Sequence, residues 1–130
     1  MKHHILVVED NPLNRELLCD WLEAEGYQVC SAGTLSSAMA SMQQGPPDAV
    51  LLDVQLGHED GLSLAAWIRL QPKLCHVPVI AVTAHALVTE QYSFLQAGCN
   101  ACVSKPIDFK ILREELQRWL KDVTASKLNS

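Results

Sequence analysis

Four short apolar runs, each followed at once by polar side chains, constrain the fold of this chain more than any other feature. Continuous runs of aliphatic residues are typical of strands that are buried on both faces of a parallel sheet. The runs and the groups after them are residues 5–8 with Glu9-Asp10, 49–52 with Asp53, 79–82 with Thr83, and 101–103 with Ser104-Lys105. Ligands of open α/β sheets bind beyond the carboxyl ends of the strands. We therefore expect these carboxylates, the hydroxyl and the ammonium group to lie close together.

The segments between the strands carry helix signals. The residues expected to be helix N-caps are Asn11, Thr34 and Asp108. Pro12 is typical of a first helical position, and Gly26 ends that helix before a short strand at residues 27–30. Another helix is expected at about 89–97. The apolar residues expected on the buried face of the first helix are Leu13, Leu17, Leu18, Trp21 and Leu22.

The alternation of strands and helices predicts an α/β fold. Five βα units of this size imply a flavodoxin-like (βα)5 doubly wound parallel sheet with strand order 2-1-3-4-5. The switch point of that order lies between strands one and three, which end in Glu9-Asp10 and Asp53. We expect one domain over residues 1–122. Residues 123–130 are polar and aperiodic, and they predict a flexible C-terminal tail.

Composition restricts the class of protein. With 130 residues, 48% of them hydrophobic, the chain suits one compact core. The formal net charge is −5 and no Lys/Arg cluster appears, which argues against a nucleic-acid partner. No apolar stretch approaches the ~20 residues that cross a bilayer, and no signal peptide is evident, so we expect a cytoplasmic protein without a membrane partner. Its five cysteines, an odd number, favour reduced and buried thiols over a disulfide framework.

The predicted cluster of carboxylates has a definite chemistry. Two ionised carboxylates ~4 Å apart repel by about 4 kcal/mol at an effective dielectric of about 20, and a hard cation such as Mg²⁺ relieves that repulsion. A carboxylate can also attack phosphorus. The interpretation that follows makes Asp53 a phosphoryl acceptor, with Glu9 and Asp10 on the metal and with Thr83 and Lys105 on the phosphoryl oxygens. Each residue alone is more often a turn, cap or solvated residue; their joint occurrence favours a site.

The same residues resemble a known family. The motifs that carry the resemblance are Val8-Glu9-Asp10-Asn11, Leu52-Asp53-Val54, Asp60-Gly61, Val82-Thr83-Ala84 and Ser104-Lys105-Pro106. Together they resemble the receiver domains of two-component response regulators, over about residues 4 to 121. Within the family, the start of the first helix is similar to that of receivers from hybrid kinases and from single-domain regulators.

The resemblance implies a role for each site residue. Asp53 would take a phosphoryl group from a histidine kinase or a histidine phosphotransfer protein, while Thr83 and Lys105 would hold the phosphoryl oxygens. The Lys105-Pro106 bond would be cis, as is usual in the family. The implied Mg²⁺ ligands are Asp10, Asp53 and the backbone carbonyl of Gln55, with Glu9 acting through water.

The resemblance also implies a non-enzymatic binding module. Phosphorylation would switch a surface made by the fourth helix, the fifth strand and the last helix, and that surface would bind a downstream protein. Cys102 stands at the position where the family usually has a Tyr or Phe that takes part in the switch. Gln55 and His85 flank the path of the hydrolytic water in the family, and we expect them to tune dephosphorylation.

Three alternatives remain open at this point. A haloacid-dehalogenase-like phosphatase also uses Asp, Thr, Lys and Mg²⁺, but it carries its nucleophile on strand one and a second Asp two residues later. A passive scaffold without phosphorylation is the second alternative, although Asp53 and Lys105 are intact. Cys99 and Cys102 form a CxxC motif that is compatible with a thiol role, but no second ligand pair accompanies it.

Overall fold

A parallel five-stranded sheet forms the centre of the computed structural model, which describes residues 2–84 and 93–128, with side chains to residue 120. The strands of this sheet are β1 (His4–Val8), β2 (Gln28–Ala32), β3 (Ala49–Asp53), β6 (Val79–Thr83) and β7 (Ala101–Ser104). Their order is β2-β1-β3-β6-β7 and every pairing is parallel, so the predicted 2-1-3-4-5 order is confirmed. β4 (Gln55–Leu56) and β5 (Glu59–Asp60) form a separate antiparallel ribbon after β3.

Helices cover both faces of the sheet. They are α1 (Pro12–Ala24), α2 (Leu35–Gln44), α3 (Leu62–Leu70), α4, described over residues 93–96, and α5 (Phe109–Leu128). Successive residues of a strand point to opposite faces. Ile5 and Val7 therefore pack in one core with α1 and α5, whereas Leu6 and Val8 pack in the other core with α2 and α3. This doubly wound arrangement leaves the carboxyl ends of β1 and β3 side by side.

The predicted helix caps are present. The Asn11 side chain accepts hydrogen bonds from the backbone N–H groups of Leu13 and Asn14, and Pro12 follows it at the first helical position. Thr34 forms a capping box with Ser37. Asp108 Oδ1 accepts from the Lys110 N–H at 3.0 Å. These caps fix where each helix starts, and the cap at Asn11 places the start of α1 next to the end of β1.

Two details of the first βα unit differ from the prediction. β2 begins at Gln28 rather than at residue 27, because the Tyr27 N–H closes the end of α1 by donating to the Leu22 carbonyl at 3.1 Å. Leu13 and Leu17 were expected in the core but are 77% and 57% exposed. The buried stripe of α1 is narrower than the apolar pattern, and these leucines lie at its outer edge.

The last helix is longer than the sequence indicates, and two of the thiols depart from the prediction. α5 continues to Leu128, so it extends into the segment 123–130 that was expected to be a tail. No Gly or Pro interrupts residues 121–128, and a helix that is already nucleated propagates at little cost. The domain boundary at residue 122 and the flexibility of the tail stay predictions.

All cysteines are free, but Cys30 and Cys75 are exposed rather than buried, since both lie in peripheral segments. No helix in the described part of the chain combines the length and apolarity that crossing a membrane requires.

Candidate functional site

The carboxylates of Glu9, Asp10 and Asp53 form a compact acidic cluster. One oxygen from each lies within 4.8 Å of the others. β1 and β3 are neighbours in register, with Val8 beside Leu52, so the residues that follow are brought together. Glu9 and Asp53 are buried and Asp10 is exposed, which gives the cluster one side open to solvent. A donor set made only of oxygen atoms suits a hard divalent cation.

Lys105 supplies the positive charge of the site. Its Nζ lies 3.1 Å from Asp53 Oδ2 and 3.7 Å from Glu9 Oε2. The residue follows β7, and its backbone N–H donates to the Thr83 carbonyl at 2.7 Å. The Lys105-Pro106 peptide bond is cis, as the resemblance implied. Since β7 is an edge strand separated from β3 by β6, the Lys105 side chain reaches across the carboxyl end of β6 to the buried carboxylates.

Backbone N–H groups orient the buried carboxylates. Asp53 Oδ1 accepts from the Gln55 N–H at 3.0 Å, and Glu9 Oε1 accepts from the Asn11 N–H at 3.1 Å. Burial and the neighbouring Asp53 carboxyl raise the pKa of Glu9 to about 7, although the Asn11 N–H and the Lys105 ammonium act in the opposite direction. Glu9 and Asp53 therefore have an unfavourable interaction that a shared proton or a cation relieves.

Thr83 ends the strand that lies between β3 and β7. Asp53 is in register with Val82, and Thr83 is in register with Ser104. Thr83 is 3% exposed and belongs to the same edge of the sheet as the acidic cluster. The structure thus brings four of the predicted positions together around Asp53, namely Glu9, Asp10, Lys105 and the strand end at Thr83.

The remaining predicted site residues are Gln55, Cys102 and His85, and the geometry around Asp53 does not test their roles. Gln55 lies two residues after Asp53, with its side chain exposed. Cys102 is half-buried on β7 and packs against the core on the α2 and α3 side of the sheet. His85 falls outside the described residues. The roles of Gln55 and His85 in dephosphorylation and of Cys102 in switching stay predictions.

An apolar groove of about 310 Å³ adjoins the site. Its lining residues are Glu9, Asn14, Leu17, Leu18, Lys105, Pro106, Ile107 and Phe109. Lys105 and Glu9 thus belong both to the acidic cluster and to the groove. The exposed Leu17 lies in the wall, so an apolar surface lies directly beside the carboxylates.

Sequence reasoning missed Arg15. Its Nη1 donates to the backbone carbonyl of Glu9 at 3.0 Å, at the end of β1. The spacing from the N-cap Asn11 to Arg15 is one helical turn, and the Arg15 N–H donates to the Asn11 carbonyl at 2.9 Å. That spacing fixes only the position of Arg15 on α1. The reach of its guanidinium back to Glu9 depends on how α1 packs against the sheet, which no local sequence pattern gives.

The structure is a doubly wound α/β sheet whose carboxyl edge carries an acidic cluster and a lysine. The sequence matches the model of the family described as "Response regulator receiver domain" over residues 5–117, and the chain belongs to that family. It is therefore a receiver domain of two-component signalling. Membership of this family of signalling modules favours that interpretation over the phosphatase alternative.

Individual relatives are similar over almost the whole chain. The polar-differentiation response regulator DivK of Brucella ovis is 36% identical over 122 residues, which are 94% of this chain and 99% of the relative. Among solved structures, the receiver domain of sensor histidine kinase PA1611 from Pseudomonas aeruginosa is 37% identical with a TM-score of 0.84, over 93% of this chain and 99% of that one; it has a magnesium ion coordinated in its active site cleft. The receiver domain of a signal transduction histidine kinase from Syntrophus aciditrophicus is 30% identical with a TM-score of 0.84, over 93% and 92% of the two chains.

Proposed function

We propose that Asp53 accepts a phosphoryl group in a Mg²⁺-dependent reaction and that this modification switches binding to another protein. The observation that carries the proposal is the position of Asp53. Its carboxylate lies within the acidic cluster and 3.1 Å from the Lys105 ammonium. It is also 5% exposed, so the nucleophile is held in one orientation by its neighbours.

The residues present fit a magnesium ion. The cluster offers carboxylate oxygens alone, close together and open to solvent at Asp10, and Mg²⁺ typically binds a few carboxylates while keeping several waters. Asp10, Asp53 and the backbone carbonyl of Gln55 would hold the ion, with Glu9 acting through water. When bound, the ion supplies positive charge that offsets the carboxylates and an incoming phosphoryl oxygen.

The transfer itself uses the side chains of this chain. An Asp53 carboxylate oxygen attacks the phosphorus of a phosphohistidine; the new O–P bond forms as the P–N bond breaks, and the imidazole leaves with the electron pair and takes a proton from solvent. Lys105 neutralises charge on a phosphoryl oxygen, and the Thr83 hydroxyl donates a hydrogen bond to another. Gln55 and His85 tune the later hydrolysis. The receiver acts only on its own phosphoryl group and is not a general enzyme.

The phosphodonor is a histidine kinase or a histidine phosphotransfer protein. Two solved relatives are receiver domains of histidine kinases, which supports a donor of this class. The groove beside Lys105 offers the donor a place to bind. Leu17 lines this groove and is 57% exposed, and Leu13, one turn before it on α1, is 77% exposed. Burying these leucines against a partner contributes favourable free energy.

The output surface is the face made by α4, β7 and α5. Leu95 and Ile111 are 53% and 47% exposed there, and β7 leads directly into Lys105. Phosphorylation adds negative charge next to Lys105 and Thr83 and biases an equilibrium between two conformations of this face. Cys102, on β7, stands at the position of the aromatic residue that takes part in the family's switch. Its side chain is too small to replace that ring, so the switch is either weakened or carried by the segment after Thr83 alone. A cytoplasmic location belongs to the same proposal.

Intact-mass measurement after incubation with acetyl phosphate tests the acceptor. Wild type is expected to gain the mass of one phosphoryl group in Mg²⁺ and not in EDTA. Asp53→Asn is expected to gain none, whereas Asp20→Asn, an exposed aspartate on α1, behaves as wild type. A wild-type protein that stays folded and unmodified in Mg²⁺ contradicts the proposal, as does equal modification of Asp53→Asn.

A further inference from the structure

The peptide that joins Glu9 to Asp10 lies just beyond β1 and connects two members of the acidic cluster. The preceding peptide is held by the Glu9 N–H, which donates to the Ala32 carbonyl at 3.0 Å and continues the pairing of β1 with β2. In the Glu9–Asp10 peptide itself, the carbonyl oxygen accepts from Arg15 Nη1 at 3.0 Å. The orientation of this peptide sets the direction in which the Asp10 side chain leaves the backbone.

Gly33 provides the space that the Arg15 guanidinium occupies. A Cβ at position 33 would lie 2.7 Å from Arg15 Nη1 and 3.9 Å from the Glu9 carbonyl oxygen. The glycines with positive φ are Gly26, Gly57 and Gly98, so Gly33 lies outside the left-handed region that favours glycine. The missing side chain at position 33 is therefore required by the guanidinium and not by the backbone.

Arg15 leaves the charge of the acidic cluster intact. Among the described residues, the salt bridges are formed by Lys105 and Arg113, and Arg15 donates to a neutral carbonyl instead. A guanidinium that binds the backbone orients the carboxylates without pairing with them. The acidic side chains remain available for a cation.

We propose that Arg15, in the space left by Gly33, is a positioning residue that aligns Glu9 and Asp10 for the divalent cation. This inference rests on the proposed Mg²⁺ site and adds the residues that prearrange it. Groups that orient metal ligands without touching the metal typically change the affinity 10- to 100-fold when they are removed. The two residues form one unit, because a methyl group at position 33 would displace the guanidinium.

A double-mutant cycle with Mg²⁺ titration calorimetry tests the inference. Arg15→Met and Gly33→Ala are each expected to weaken Mg²⁺ binding about 10-fold, and the double variant is expected to be no weaker than Arg15→Met. Gly45→Ala is the matched control, since a Cβ there meets nothing within 4 Å, and it should bind as wild type. Without Mg²⁺, the amide resonance of Asp10 is expected to shift in both variants and to keep its position in the control.

Thermal unfolding separates positioning from a loss of fold, because Gly33→Ala displaces only the end of a flexible side chain and should leave the midpoint near that of wild type. Wild-type Mg²⁺ affinity in Arg15→Met, or in Gly33→Ala, overturns the inference while the proposed function stands. Additive losses in the double variant also overturn it. A wild-type protein that binds no Mg²⁺ contradicts the proposed function, and the inference then fails with it.

Discussion

The backbone of Gly61 packs directly against the carbonyl oxygen of Asp53. A Cβ on Gly61 would lie 2.3 Å from that oxygen and 2.9 Å from the Val54 carbonyl oxygen. The Gly61 N–H also donates to the Val54 carbonyl at 2.9 Å. The start of α3 is thereby fixed against the end of the strand that carries Asp53.

Gly61→Ala is expected to destabilise the protein by about 1–3 kcal/mol, because a methyl group would overlap backbone atoms that cannot move aside. Urea denaturation measures the change in the free energy of unfolding. Gly45→Ala is the control, since that position has open space around it. A Gly61→Ala protein as stable as the control would show that the chain relaxes freely here.

Lys105→Met is expected to slow phosphorylation of Asp53 by acetyl phosphate by roughly 10²–10³-fold, because one donor to the developing charge is lost. The initial rate of modification, followed by intact mass, gives the comparison. Lys110→Met changes an exposed lysine near the start of α5 and should retain the wild-type rate. An unchanged rate in Lys105→Met would remove Lys105 from the reaction.

Leu17→Ser is expected to slow transfer from a phosphorylated kinase or phosphotransfer protein roughly tenfold, since a leucine buried at an interface contributes ~1.5 kcal/mol or more. The rate with acetyl phosphate should not change, because that small donor needs no protein interface. Leu70→Ser is the matched control, as Leu70 is 79% exposed at the end of α3. Equal slowing with both donors would place the effect of Leu17 in the chemistry rather than in binding.

Arg69→Met is expected to lower the free energy of unfolding by about 1–3 kcal/mol, because it leaves part-buried carbonyl groups without a charged donor. The Arg69 guanidinium donates to the carbonyls of Cys75, Val77 and Gly98 at 2.7–3.0 Å. Arg118→Met, on the exposed side of α5, is the control and should cost less than about 1 kcal/mol. Similar losses in the two variants would contradict this assignment.

Cys99 is expected to resist alkylation by iodoacetamide at pH 8, while Cys30 and Cys75 react. Burial raises the pKa of the Cys99 thiol to about 12, so the reactive thiolate is absent, and the residue is only 5% exposed. Because the pKa is raised, increasing the pH from 8 to 10 still leaves Cys99 protonated. Peptide mass spectrometry reports the extent at each cysteine, and labelling of Cys99 as fast as Cys30 would contradict the prediction.

The sheet and the acidic cluster were predictable from the sequence because both depend on local patterns. Continuous apolar runs indicate buried parallel strands, and the residue after each strand must lie at the carboxyl edge. The side chains of Asp53, Glu9 and Lys105 therefore lie close together, as the sequence predicts. The caps at Asn11 and Thr34 were predictable for the same reason, since capping involves residues within one turn of each other.

Other features depend on how distant elements pack. The apolar pattern of α1 includes Leu13 and Leu17, but periodicity gives a face and not the width of the surface that the sheet covers. The contact between Arg15 and Gly33 joins α1 to the end of β2, and no local motif encodes it. The same holds for Arg69, whose acceptors come from the segment before β6 and from Gly98.

The position of β7 at the edge of the sheet has a consequence for the order in which the site comes apart. Lys105 follows this outer strand, whereas the acidic residues follow strands in the interior of the sheet. Outer strands detach at a lower free energy than central ones. Transient detachment of β7 would withdraw the ammonium group while the acidic cluster stays assembled. In that form the carboxylates would still attract a cation, but the positive charge proposed to act on the phosphoryl group would be absent.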